Sequence, residues 1–154
     1  MGGQVWRLAA VTVTVAATAL TASCGYAAAI YAAEVSADQV EGGWTSKAGT
    51  SLTFHADHTF TSEHFDTLPV ASECSDPTAL ASGSWAFYAP TEPIRTPDET
   101  VTRGTELALT FSGSDCEVTA YFFNDEADPV MCPTDDPDDG CRSDDYLKRV
   151  ADRP

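Results

Sequence analysis

Positively charged side chains are scarce in this sequence. Its 154 residues include 8 Lys and Arg against 24 Asp and Glu, which gives a formal net charge of −16. Such a charge repels nucleic acid and anionic lipid headgroups, and it favours solubility, cations or a basic partner surface. We therefore exclude nucleic acid as a partner and expect the acidity mainly to keep the chain soluble.

Catalytic motifs are also missing. The sequence has no Gly-x-Ser-x-Gly elbow, no His-Glu-x-x-His pair and no glycine-rich phosphate loop. Its cysteines are better assigned to lipid attachment and disulfides than to nucleophilic catalysis. We therefore expect a non-enzymatic protein without a cofactor.

Acidic residues are absent before Glu34, and the region ahead of it is predicted to be an export signal. Arg7 and the terminal amine precede an apolar run, residues 8–20, as in a signal peptide. Small residues then lead to Cys24, and this pattern resembles a lipobox, where bacteria attach diacylglycerol to the thiol. The sequence therefore predicts a signal peptide over 1–23, a tether over 24–40 and a β domain over 41–154. The protein would be lipid-anchored on the outer face of the cell membrane.

Two alternatives remain open at the N-terminus. The apolar run continues from Leu8 to Ala33, which is long enough to cross a bilayer as an uncleaved helix of ~20 residues. Simple cleavage and release is the other alternative. All three readings place residues 34–154 outside the cytoplasm.

The remaining cysteines predict disulfides. Reserving Cys24 for lipid leaves Cys74, Cys116, Cys132 and Cys141, an even number in an oxidising compartment. Four cysteines allow three pairings, and the sequence alone does not choose among them. We favour a short clip between Cys132 and Cys141 and a long-range link between Cys74 and Cys116.

Short runs of alternating apolar residues predict an all-β fold. In residues 106–111, for example, Leu107, Leu109 and Phe111 would share the inward face. A long acidic loop is expected over 124–145. The seven predicted strands are residues 44–45, 51–55, 59–62, 84–88, 106–111, 116–123 and 146–150. Connected as a meander, they would close as a small antiparallel barrel or a two-sheet sandwich behind an N-terminal signal or anchor helix.

A histidine-rich hairpin is the first candidate metal site. A turn at Ala56 and Asp57 would bring His55 and His58 within ~5 Å across the hairpin, where two imidazoles could ligate Zn²⁺ or Cu²⁺. The competing interpretation, which we favour, is a solvated hairpin tip whose residues serve the turn.

An acidic run is the second candidate metal site. Asp135, Asp136, Asp138 and Asp139 could offer hard oxygen ligands to a weakly bound Ca²⁺ ion. The run does not follow the EF-hand pattern, because Pro137 occupies a ligand position. A solvated, self-repelling loop is the simpler interpretation.

The order of motifs resembles small secreted lipoproteins of actinobacteria, with a layout also similar to lipocalin-like barrels and META-type domains. In that family the first hairpin reads Ala-Asp-Gly-Thr-Phe, and His58 stands here in place of the glycine. The matching segments are Cys24, residues 43–45, 52–61, 83–87 and 107–111, and the loop 132–141.

The resemblance implies a small β barrel or sandwich and brings no catalytic site. We expect a membrane-tethered lipoprotein that binds an envelope component or another exported protein. The alternative is a lipocalin-like carrier, in which aromatic side chains such as Trp44 and Trp85 would line a cavity for a small apolar ligand. In a domain of this size such side chains more often fill the core.

Overall fold

The computed structural model describes residues 32–90, 94–138 and 140–151. Short strands joined by turns account for most of this part of the chain. In chain order the elements are β1 (Val35–Ser36), α1 (Ala37–Val40), β2 (Gly42–Ser46), β3 (Ser51–Phe54), β4 (Thr59–Glu63), β5 (Ser82–Tyr88), β6 (Pro97–Asp98), β7 (Arg103–Gly104), β8 (Glu106–Phe111), β9 (Glu117–Asp125), β10 (Asp128–Pro133) and β11 (Leu147–Arg149). Three 3₁₀ turns, Phe65–Thr67, Pro69–Glu73 and Pro77–Ala79, lie between β4 and β5.

Eight of these strands form a closed antiparallel barrel. Their order around the barrel is β2, β3, β4, β5, β8, β9, β10 and β11, and β11 pairs back onto β2. Barrel strands that follow one another in the sequence are therefore also adjacent in the barrel, as in a meander. The all-β meander predicted from the sequence is confirmed, and it closes as a barrel rather than as a sandwich. The predicted signal or anchor helix lies outside the described residues.

The predicted acidic loop over 124–145 is wrong in one respect, because it contains the barrel strand β10. Pro129 and Pro133 lack an N–H donor, and they leave only three consecutive apolar residues with no alternation to reveal a strand. The strand forms because Met131, which is fully buried, lies opposite Phe122 on β9 and Leu147 on β11. The barrel therefore has eight strands instead of the predicted seven.

Large apolar side chains fill the barrel. Alternation along the strands turns them inward, as predicted for Leu107, Leu109 and Phe111, and none of these is more than 1% exposed. The other large side chains that are almost completely buried are Trp44, Trp85, Phe54, Phe60, Phe65, Phe87, Phe122, Leu52 and Met131. The interior of this barrel is thus a packed core, as is common in small eight-stranded barrels.

Both ends of the barrel are covered. At one end, β1 and α1 place Val35 and Val40 in the core, and Trp44 Nε1 donates to the Val40 carbonyl at 2.8 Å. At the other end, the 3₁₀ turns bury Phe65 against Phe111, with ring centroids 4.8 Å apart. The described part of the predicted tether, residues 32–40, is therefore packed into the folded domain from Ala33 onward.

Two disulfides have the pairing that the sequence favoured. The long-range disulfide joins Cys74, after the second 3₁₀ turn, to Cys116 at the start of β9, with Cα atoms 5.3 Å apart. The short disulfide joins Cys132 on β10 to Cys141, with Cα atoms 5.6 Å apart. Each disulfide fixes a loop at the end of the barrel that lies away from α1.

Candidate functional site

One cleft of the described surface is lined by two arginines and two glutamates. It has a volume of about 410 Å³ and lies beside the ends of β5 and β8, at the same end of the barrel as α1. We call it the arginine cleft and define it by Glu34, Tyr88, Arg95, Arg103 and Glu106.

One wall of the arginine cleft is organised around the guanidinium of Arg95. This group lies 4.9 Å from the centroid of the Tyr88 ring and forms an ion pair with Glu106. The Glu106 side chain is only 19% exposed, whereas that of Arg95 is 50% exposed. The glutamate and the tyrosine are therefore fixed parts of the wall, and the arginine is its solvent-facing part.

The opposite wall depends on the pairing of two very short strands. β1 pairs with β7, which places Val35 opposite Gly104 and brings Glu34 beside Arg103. Arg103 Nε donates to Glu34 Oε1 at 2.8 Å. Gly104 permits this arrangement because a Cβ atom there would lie only 2.8 Å from the Phe87 ring.

Tyr88 links the arginine cleft to the outer face of β9. Its hydroxyl donates to Glu117 Oε1 at 3.2 Å and lies 2.9 Å from Thr119 Oγ1. Burial of the partly exposed ring raises the pKa of Tyr88 above its ordinary value, and the nearby Glu117 carboxylate raises it further. The phenol therefore stays protonated at neutral pH and serves as a hydrogen-bonding part of the wall.

The ion pair on the other wall has a comparable effect on its arginine. The hydrogen bond and the negative charge of Glu34 raise the pKa of Arg103 above its ordinary value. The Arg103 guanidinium is therefore cationic at neutral pH. The Arg103 side chain is 54% exposed, so an acidic ligand could compete with Glu34 for it.

The chemistry of this cleft suits a ligand with an acidic group beside an apolar group. Guanidinium groups bind carboxylates and phosphates through paired hydrogen bonds, and Arg95 is held by an aromatic face. Ile94, next to Arg95 in the chain, is 73% exposed, which makes it one of two large apolar side chains exposed in the described residues. An exposed apolar side chain therefore adjoins one of the arginines in the chain, although Ile94 does not itself line the cleft.

A second cleft, of about 490 Å³, lies at the other end of the barrel and contains part of the predicted Ca²⁺ site. Asp135 and Asp136 line it, whereas Asp138 does not, and Asp139 lies outside the described residues. Asp136 Oδ1 accepts a hydrogen bond from the Asp138 main-chain N–H at 3.0 Å, and its carbonyl accepts one from Gly140 N–H at 3.3 Å. These contacts shape the loop.

The two histidines of the predicted Zn²⁺ or Cu²⁺ site have different surroundings. The His55 side chain is exposed, whereas the His58 ring lies on Trp85, with centroids 4.5 Å apart. His58 Nδ1 is also 3.1 Å from the Trp85 carbonyl oxygen, and Asp57 Oδ1 accepts from Thr59. The structure thus gives His58 and Asp57 partners within the hairpin.

Metal and membrane features can be stated only for the described residues. In residues 32–90, 94–138 and 140–151, no group of three or more His, Cys, Asp or Glu side chains is placed to hold a metal ion. Within the same ranges, no helix is long and apolar enough to cross a membrane. The predicted lipid site, Cys24, lies outside these ranges.

The sequence reasoning missed the arginine cleft. Arg95 and Arg103 lie between the predicted strands 84–88 and 106–111, and β1 and β7 are too short to be recognised from a pattern. One signal was available: these two residues are the only Lys or Arg between positions 48 and 141. An isolated pair of cations in such an acidic region indicates a specific electrostatic role.

Comparison of the chain with protein-family models, curated proteins and solved structures finds no match.

Proposed function

We propose that this protein is a lipoprotein tethered through Cys24 to the outer face of the cell membrane, and that its barrel is a non-enzymatic scaffold. On this proposal the arginine cleft binds an acidic segment of another exported protein or an acidic envelope component. Tethering rests on the N-terminal sequence pattern. Binding rests on the shape and charge of the described surface.

The observation that carries the proposal is the filled barrel. With Trp44, Trp85 and Phe87 each at most 1% exposed inside it, a ligand has to bind on the outer surface. This supports the scaffold over a lipocalin-like carrier, which needs an internal cavity.

The charge distribution supports the arginine cleft as the binding surface. In a chain with a formal net charge of −16, most of the surface repels an acidic partner. The cleft instead contains two arginines, each paired with a glutamate for which an acidic ligand could compete, and the exposed Ile94 lies next to Arg95 in the chain. Clusters of Arg and apolar anchors are typical of residues that dominate binding energy at protein interfaces.

A capture experiment with matched variants tests this function. The lipidated protein is cross-linked in its own cell envelope, and captured molecules are compared between the wild type, the double variant Arg95→Ala/Arg103→Ala and the control Lys47→Ala. Lys47 forms an exposed ion pair with Asp144 at 3.9 Å and lies outside the cleft. The exposed ion pairs of Lys47 and Arg103 contribute only about 0–1 kcal/mol each. Because Arg95→Ala leaves the mostly buried Glu106 without its partner, urea denaturation first checks that the double variant is folded.

We expect the wild type and Lys47→Ala to capture the same partner and the double variant to lose it. Equal capture by all three proteins would rule out the cleft as the binding surface. Capture that weakens as salt is raised would agree with the ionic contacts that the cleft offers.

A further inference from the structure

An apolar cluster lies on the outer wall of the barrel, across β9, β10 and the start of β11. Tyr121 and Phe123 alternate outward on β9, with ring centroids 6.4 Å apart, and Tyr146 lies 6.4 Å from Phe123 on the other side. Val130 on β10 is directly opposite Phe123. All four side chains are partly exposed, and we call them the aromatic wall.

The described chain begins at this wall. Ala32, the first described residue, is exposed and forms a β-bridge with Phe123. Ala33 N–H then donates to the Phe122 carbonyl at 2.9 Å, which fixes the chain against β9. The segment that precedes Ala32 therefore joins the domain beside Phe123.

The length of that segment limits how far the wall can lie from a membrane. Cys24 is eight positions before Ala32, and a fully extended chain covers at most ~3.5 Å per residue. A lipid on Cys24 therefore keeps Ala32 within ~28 Å of the bilayer surface.

We propose that the aromatic wall rests on the bilayer surface, with its rings at the level of the headgroups. This inference takes the membrane attachment from the proposed function and adds an orientation to it. Tyrosine and other amphipathic aromatic side chains are enriched at membrane interfaces because one part of the ring is apolar and the other is hydrated.

The charges around the wall limit this orientation, because the chain as a whole repels anionic headgroups. On the outer face, Glu106 lies directly opposite Tyr121 but is ion-paired with Arg95. Lys148 lies opposite Val130 on the same outer face, where its stem can cover apolar surface while its amine reaches the headgroups. The β9–β10 turn carries Asp125, Glu126 and Asp128, all exposed. Those carboxylates have to stay in water, so the side wall of the barrel faces the bilayer and the hairpin tip does not.

Fluorescence quenching by brominated lipids tests the orientation. Lipidated Phe123→Trp is reconstituted in phosphatidylcholine vesicles whose acyl chains carry bromine close to the headgroups. The matched control is Thr61→Trp, because Thr61 is exposed on β4, four strands from β10 around the barrel. Tyr121→Trp is a second reporter, and the buried Trp44 and Trp85 give every variant the same background.

We expect bromine to reduce the emission of Phe123→Trp and Tyr121→Trp and to leave Thr61→Trp unchanged. Equal emission with and without bromine in all three variants would overturn docking, and so would equal quenching in all three. The mass of the same samples tests the tether separately. A protein that carries lipid but is not quenched overturns docking alone. A released chain without lipid overturns both the tether and docking. The protein could also show twice its monomer mass in detergent and return to the monomer mass in Phe123→Thr. The wall would then be the contact between two copies of the chain, and membrane docking would be overturned.

Discussion

The left-handed turn at His58 allows one prediction to be worked out in energy terms. His58 has φ = 62° at the end of the β3–β4 turn, a conformation that glycine adopts freely. A side chain with a Cβ atom in this region costs about 1–2 kcal/mol. The histidine offsets that cost through its stacking on Trp85 and its contact with the Trp85 carbonyl oxygen.

Substitutions at this position separate the two effects. An aromatic contact and a hydrogen bond each contribute about 0.5–1.5 kcal/mol, so His58→Ala should destabilise the protein by about 1–3 kcal/mol. His58→Gly loses the same contacts but relieves the backbone. Glycine also has more conformational freedom than alanine in the unfolded chain, which favours unfolding by about 0.4–1 kcal/mol. After this is subtracted from the relief of the backbone, His58→Gly should be about 0.5–1 kcal/mol more stable than His58→Ala.

A second histidine provides the control. His64 also has a positive φ, 56°, and its ring makes no hydrogen bond or ring contact within the described part of the chain. His64→Gly should therefore stabilise the protein by about 0.5–1 kcal/mol, while His58→Gly should not stabilise it. Urea denaturation with intact disulfides, followed by tryptophan fluorescence, measures both changes as shifts in midpoint at constant m.

The reasoning fails if His58→Gly is as stable as His64→Gly, because the contacts of the His58 ring would then contribute nothing. It also fails if His58→Ala and His58→Gly are equally stable, because the backbone cost of the positive φ would then be absent.

Two further predictions concern disulfides and pH. In the chain-entropy model, a separation of 42 residues gives the long-range disulfide about 4 kcal/mol, and a separation of 9 gives the short one about 2.6 kcal/mol. Paired Cys→Ala variants should lower the urea midpoint in that order, and the reverse order would contradict the model. Three surface aspartates, Asp57, Asp76 and Asp98, each accept hydrogen bonds from the hydroxyl and the main-chain N–H of the Thr two residues later. These hydrogen bonds lower the pKa values of the three carboxyls. A depressed carboxyl pKa stabilises the fold above the unfolded pKa of about 3.9 and loses that effect as pH falls through the folded value. The triple Asp→Asn variant should therefore show a smaller fall in urea midpoint than the wild type below about pH 4, and an identical fall would refute this.

The sequence predicts the barrel core well because strand alternation is a local signal. Leu107, Leu109 and Phe111 are inward as expected, since a period of two needs only a few residues to be recognised. β10 escaped detection because its burial depends on neighbours on two other strands. A run as short as Val130–Cys132 has no period of its own, and the flanking prolines argue against a strand.

The arginine cleft was beyond sequence reasoning for a related reason. Glu34 and Arg103 are 69 positions apart, and only the two-residue pairing of β1 with β7 brings them together. Short strands of this kind form because the barrel end provides a buried position for Val35. Tertiary burial, rather than local propensity, therefore decides where the charged residues next to Val35 lie.

The positions of the arginine cleft and the aromatic wall restrict the kind of partner that could bind. Glu34, which lines the cleft, is only two residues from Ala32, where the chain contacts the wall. Glu106 of the cleft lies directly opposite Tyr121 of the wall, so a barrel that rests on β9 and β10 would place the cleft at the edge of the contact with the bilayer. The second cleft, which Asp135 and Asp136 line, would then lie at the end of the barrel away from α1 and from Ala32. On these proposals, a partner would have to present its acidic segment near the membrane surface, as another anchored protein does. Moving the anchor away by inserting a flexible linker before Ala32 should therefore weaken capture of an anchored partner, without changing the affinity of the cleft for a soluble fragment of it.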